Sequence, residues 1–456
     1  MTIRLFTAFL IVLGLLPATA SAAAPSCPDD NADELGGSGE VFGVGPRYVI
    51  AGVPQRAQSA GAIVVRDGNH TPRAVTLASV QGAGAPAAGD RFGAALASGM
   101  LVDGRPCTDL LAGAPGRGGT GEAYLLFGST GASPRAATVL RAPDAAPGDE
   151  FGAAVAISDT TEDSQFPGHD LWIGAPGRDI AGQTDAGAIY HYAISTAGAI
   201  TYAGVTTQGA GAEAGDRLGA VLAPIAGGVL AGVPREDAGT RRDAGGLLLV
   251  RSGGATRSAA GTRAGDRLGA AVADTGLGIL AGAPGADVRG RRDAGLVVAY
   301  KGTLARRRTY RQGAHGVPGR AEAGDRFGSA LATGMGIRCQ EEVPIAIGVP
   351  GEDVGHARDA GAVTLLGDGD LASCRSRELT QGDGLSGRPH RRARIGATLG
   401  IAPDRPGLDE DEYDALLTGI PAGGILTLRG GYPALHGRLA APRDAPGYGS
   451  VFALPS

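Results

Sequence analysis

A five-residue pattern, Gly-Asp-x-aromatic/aliphatic-Gly, recurs in phase along this chain and constrains its fold more than any other feature. It stands at Gly89-Asp90-Arg91-Phe92-Gly93, Gly148-Asp149-Glu150-Phe151-Gly152, Gly215-Asp216-Arg217-Leu218-Gly219, Gly265-Asp266-Arg267-Leu268-Gly269 and Gly324-Asp325-Arg326-Phe327-Gly328, with starts 59, 67, 50 and 59 residues apart. Arg394-Ile395-Gly396 is a degenerate sixth copy. Each copy leads into a short apolar run, then a second run ending in Gly-small-Pro at Gly113, Gly174, Gly232, Gly282, Gly348 and Gly419. A third run (Gly187 to Tyr192, Leu296 to Tyr300) and a weaker fourth (Ala136 to Leu140) complete the unit. Without repeats, 456 residues would read as two or three domains; a repeat of this period absorbs the length into one closed structure.

Four short runs punctuated by turn residues predict four antiparallel strands per unit, the unit of a propeller blade. Proline after the second run stops the ladder because it has no N–H to donate. Aromatics are 4% of the chain and apolar residues 43%, so the core must be built from Ala, Val, Leu and Ile. The 80 glycines follow no three-residue period, which excludes collagen. At the ends, Tyr48 to Pro54 matches a second strand, Gly61 to Arg66 a third, and residues 447–454 an orphan first strand. The expected fold is therefore all-β: a seven-bladed β-propeller of four-stranded antiparallel blades, closed by the two termini as 447–454 pairs with 48–66.

The paired Phe-Gly and Gly-Ala-Pro segments resemble FG-GAP repeats, as in the integrin α-subunit head and many bacterial exported proteins. The resemblance covers residues 40–456. Ahead of it, Arg4, the apolar run Leu5 to Leu16 and Ala20-Ser21-Ala22 read as a secretory signal, residues 1–22, followed by a tail, 23–39. A secreted protein with an even number of cysteines favours disulfides. Cys339 and Cys374 fall in the first hairpin and near the fourth strand of one blade and are expected to pair, which leaves Cys27 and Cys107 to each other.

A formal net charge of −5 gives no electrostatic case for nucleic acid or anionic membrane. No run beyond the signal is long enough to span a bilayer. Integrin-type blades often carry a calcium loop in the first hairpin, where oxygen ligands alternate along the chain. The pattern is not intact here. Acidic hairpins remain at Asp159, Asp163 and Asp170 in blade 2, and at Asp409, Asp411 and Asp414 in blade 6. Calcium is the one cofactor they suggest; acidic solvated turns are the plainer reading.

A more regular acidic pair lies between second and third strands: Asp179 and Asp185, Asp237 and Asp243, Asp287 and Asp293, Asp353 and Asp359. With Arg241, Arg242, Arg291 and Arg292 these form either a ligand-binding rim or simply turn chemistry, and repetition in blade after blade favours the turn. For catalysis the sequence offers little. The seven His share no motif, and H-E-x-x-H, G-x-S-x-G and the phosphate-binding loop are absent. His169-Asp170 beside Trp172 is the most enzyme-like pair. The chain reads as a monomeric, non-catalytic adhesion or binding module for an extracellular protein or glycan. The alternative is an exported hydrolase of the esterase or phospholipase kind, because FG-GAP repeats also accompany such enzymes.

Overall fold

The computed structural model describes residues 48–67, 73–102, 109–128, 137–159, 168–251, 254–276, 278–333, 345–367, 376–385, 387–402, 415–419, 425–429, 438–439 and 451–453. The expected signal and tail, all four cysteines (Cys27, Cys107, Cys339, Cys374), and Asp163, Asp409, Asp411 and Asp414 lie outside them.

The chain is an all-β propeller of four-stranded antiparallel blades. Six sheets each take consecutive strands; blade 1, for example, runs Leu96–Gly99, Asp109–Ala114, Glu122–Leu126, Ala137–Leu140. A further sheet joins the two ends of the chain: Val451–Ala453 pairs antiparallel with Tyr48–Gly52, beside Ile63–Asp67 and Arg73–Val75. The first strand of each blade touches those on either side, from Leu96–Gly99 round through Leu399–Ala402 to Val451–Ala453 and back. Blade 5 departs from the expected pattern: a two-residue fifth strand, Gly384–Leu385, runs parallel to Arg377–Gln381 after the chain doubles back at Gly382-Asp383.

The core lies between successive blades, and the repeat explains why. The apolar residue of each Gly-Asp-x-Φ-Gly segment forms a parallel bridge to the residue opening the third strand of the preceding blade: Gly121 with Phe151, Gly187 with Leu218, Gly295 with Phe327. Phe92, Phe151, Leu218, Phe327 and Ile395 are fully buried there. Phe151 meets Tyr190 edge to face at 5.3 Å and packs with Leu111 and Leu125 of blade 1. The x residue turns the chain through the left-handed region (Arg91 φ 56°, Glu150 φ 57°, Arg217 φ 57°), so that the segment leaves one blade and enters the next.

Candidate binding rim

The acidic pairs build the loops of one rim. Asp179 Oδ1 accepts the backbone N–H of Asp185 at 3.0 Å; Asp237 does the same for Asp243 at 2.8 Å, Asp287 for Asp293 at 3.0 Å and Asp353 for Asp359 at 2.8 Å. Between each pair the backbone closes on itself, as Ala238 and Arg241 do. The second Asp adopts positive φ, from 49° to 54°, which aspartate tolerates better than most residues. Its carbonyl then receives the N–H of the x residue in the next blade: Arg217 to Asp185, Arg267 to Asp243, Arg326 to Asp293, Arg394 to Asp359. The first carboxylate of each pair is thus engaged in turn chemistry that locks blade to blade. Arg241, Arg242, Arg291 and Arg292 project from these turns and are exposed.

The x positions form a second charged feature that sequence reading passed over. Glu150 bridges Arg91, at 3.1 Å, and Arg217, so x side chains of adjacent blades reach one another. Continuing round the ring, Arg267, Arg326 and Arg394 are exposed. Their signal was the unassigned letter in the repeat.

A third feature was also missed: the residue that follows Gly-Ala-Pro-Gly. In blade 1 it is Arg117, whose Nη1 donates to the buried Asp90 carboxylate and the Ala85 carbonyl, each at 2.8 Å, while Nη2 donates to the Ala83 carbonyl at 2.8 Å. In blade 2, Arg178 meets Asp149 at 2.9 Å and also binds the carbonyl and carboxylate of Asp144. Asp90 and Asp149 are each 2% exposed, and their other contact is the backbone N–H three residues earlier. An arginine thus fills a slot beneath the loop and neutralises a buried charge.

Other blades fill the slot differently. In blades 3 and 5 an acid stands there. Glu236 faces Asp216, with the Gln208 amide donating to Glu236. Glu352 faces Asp325, and the Gln312 amide donates to Glu352 at 2.8 Å and Glu378 at 3.3 Å. Burial, reinforced by the neighbouring carboxylates, pushes Asp216 up to about 6, Glu236 to about 7, Asp325 to about 6 and Glu352 to about 8. In blade 4 the residue is Ala286, and a cleft of about 330 Å³ opens beside Asp266.

In blade 2, His169 and Asp170 are not partners. Adjacent on one strand, they point to opposite faces: His169 Nδ1 meets Asp159 at 2.9 Å, whereas buried Asp170 meets His191 Nε2 at 2.6 Å. His191 stacks on Trp172 at 4.2 Å, and Trp172 Nε1 donates to Ser158. Asp159 and Asp170, two of the expected calcium ligands, are therefore each engaged by a histidine. Among the described residues no group of three or more His, Cys, Asp or Glu side chains is placed to hold a metal ion. No helix among them is long and apolar enough to cross a membrane.

No protein-family model and no curated protein matches the chain. Among solved structures, two crystal structures of BBS1N in complex with ARL6DN are similar. The mercury-soaked one is 11% identical with a TM-score of 0.44, over 89% of this chain and 95% of that one. The lead-soaked one is 12% identical with a TM-score of 0.42, over 90% and 96%.

Proposed function

We propose that this chain is an exported FG-GAP-type propeller, integrin-α-like, its ring completed as a seventh blade by both termini. In this reading it acts as a monomer that binds an extracellular protein or glycan through one rim and catalyses nothing. One observation carries the reading: the loops at 177–186, 235–244, 285–294 and 351–360 are pinned by side-chain and inter-blade hydrogen bonds, yet the last three present exposed arginines outward. Loops held rigid by a scaffold lose little entropy on binding, and mixed charge suits a polar surface. Calcium would enter only through the first hairpins of blades 2 and 6, and no step depends on it.

Capture from culture or host extracts by the mature protein tests this reading. Replacing Arg241, Arg242, Arg291 and Arg292 together by Glu should abolish capture while leaving the melting temperature within about a degree, since exposed substitutions cost little. Retained capture would put the site elsewhere. Esterase or phospholipase activity lost on Asp170→Asn would overturn the non-catalytic reading.

A further inference from the structure

The slot beneath the rim is the same piece of backbone in blades 1, 2 and 4. Each reads Gly-Ala-Pro-Gly, and the fourth glycine donates its N–H to the carbonyl of the buried aspartate: Gly116 to Asp90 at 3.1 Å, Gly177 to Asp149 at 3.0 Å, Gly285 to Asp266 at 3.2 Å. The next residue is therefore presented identically. Two blades place an arginine there; blade 4 places Ala286, and the volume that the arginine fills is left as the cleft. Gly261 lines it, five residues before Asp266, as Ala85 and Asp144 precede their aspartates.

Asp266 is 8% exposed and lines the cleft; among the described residues it accepts no side-chain hydrogen bond and has no cation within 4 Å, and Arg263 and Arg306 act on its charge only from farther away. The equivalent carboxylates in blades 1, 2, 3 and 5 all accept a backbone N–H. A buried carboxylate with no hydrogen-bonding partner is costly, and the chain's own blades show the group that satisfies it. The lining is not simply acidic: Arg263, Arg289, Arg306 and Arg311 stand against Asp266 and Asp287. Arg311 Nε is buried without a hydrogen-bond acceptor. A bare cation would be opposed by these arginines; a ligand that also carries a carboxylate would be matched by them. A volume of about 330 Å³ is at the small end for ligand sites.

We propose that the blade 4 cleft is a receptor slot for the guanidinium of an arginine bearing a free carboxylate, either the free amino acid or a peptide C-terminus. The guanidinium takes the place that Arg117 and Arg178 occupy in their blades, against Asp266, and the carboxylate faces the arginines of the lining. This names a ligand chemistry for the binding rim and rests on that reading only for the slot's access to a partner.

Calorimetric titration of the purified full chain tests it, with L-arginine, glycyl-arginine, agmatine and L-citrulline as probes. L-Arginine or glycyl-arginine should bind one to one with a dissociation constant of about 1 mM or tighter. Agmatine, without the carboxylate, and citrulline, without the charge, should each bind at least about tenfold weaker, a loss of about 1.4 kcal/mol. Glycyl-arginine binding as tightly as arginine identifies a peptide terminus as the source; arginine binding alone identifies the free amino acid. Ala286→Arg should fill the slot from within and abolish binding while holding or raising the melting temperature. Asp266→Asn should abolish binding too. No saturable binding of either arginine probe, or binding unchanged in Ala286→Arg, overturns the proposal. Partner capture that survives Ala286→Arg while the arginine-rim variant loses it leaves the rim reading standing without the slot.

Discussion

The Cα of Gly113, in the second strand of blade 1, faces the carbonyl of Gly152 in blade 2 so closely that a β-carbon would lie 1.9 Å from the oxygen. The same contact recurs between Gly174 and Gly219, Gly232 and Gly269, Gly282 and Gly328, and Gly348 and Gly396. The glycine of Gly-Ala-Pro and the glycine of Phe-Gly are thus two sides of one inter-blade contact. Gly113→Ala should separate blades 1 and 2 and cost about 3 kcal/mol or more, at the upper end of single substitutions. Gly118→Ala, with φ 61° but nothing within 4 Å of the new carbon, should cost about 1 kcal/mol from backbone strain alone. Urea unfolding of both variants measures the difference.

That contact shows why the blade pattern was legible in sequence. A backbone approach that tolerates only glycine repeats the same letters in each blade, and the buried Phe92, Phe151 and Phe327 beside it repeat as well. The Asp179–Asp185 type of turn was legible for the same reason. The slot was not, because its occupant varies from Arg117 to Glu236 to Ala286, and variation at one position of a repeat looks like noise until the backbone shows that these residues share a place. The partners of His169 and His191 were hidden too: adjacency in sequence suggested His169 with Asp170, whereas strand alternation sends them to opposite faces and cross-strand register brings His191 opposite Trp172.

Arg117 is the sole cation within 4 Å of Asp90 among the described residues, and it also satisfies the Ala83 and Ala85 carbonyls. Arg117→Ala should leave the buried aspartate with its backbone N–H but no counter-ion and cost about 3–5 kcal/mol, the range for breaking a buried pair from one side. Adding Asp90→Asn should recover part of the loss, since the remaining group is then neutral. Chemical denaturation of the single and double variants gives both numbers, and equal stability of the two would refute the charge argument.

The pairing of Val451–Ala453 with Tyr48–Gly52 supplies the innermost strand of the sheet that joins the ends of the chain. Deleting residues 445–456 should expose the Tyr48–Gly52 edge, lower the melting temperature by several degrees and promote association through the open strand. Differential scanning fluorimetry and light scattering report the two effects, and an unchanged melt would mean that this strand contributes nothing to closure.

Blades 3 and 5 make stability depend on pH in an unusual direction. Glu236, near 7, and Glu352, near 8, are raised chiefly by burial and then by the charges of Asp216, and of Glu378 and Asp325, respectively. Asp216 and Asp325 are raised to about 6 chiefly by burial, against the lowering pull of the backbone N–H bonds from Glu213 and Glu322 and with the neighbouring carboxylate charges adding to the rise. In the unfolded chain these groups titrate at about 4. Between about pH 4 and 8 the folded state therefore keeps protons that the unfolded state has released, and stability falls as pH rises. The contribution is fully present below about pH 4, is lost progressively through the folded values, and levels off above about pH 8. Most carboxylates with native partners act in the opposite sense, by favouring the charged form. The melting temperature should therefore drop between pH 5 and 8.5, and Glu236→Gln with Glu352→Gln should flatten that drop by about half or more, since the amides keep a hydrogen-bonding group without the charge. Thermal melts of the two proteins across this range decide it: a wild-type melting temperature that rises toward pH 8 would show that these carboxylates are ionised and paired in the folded chain.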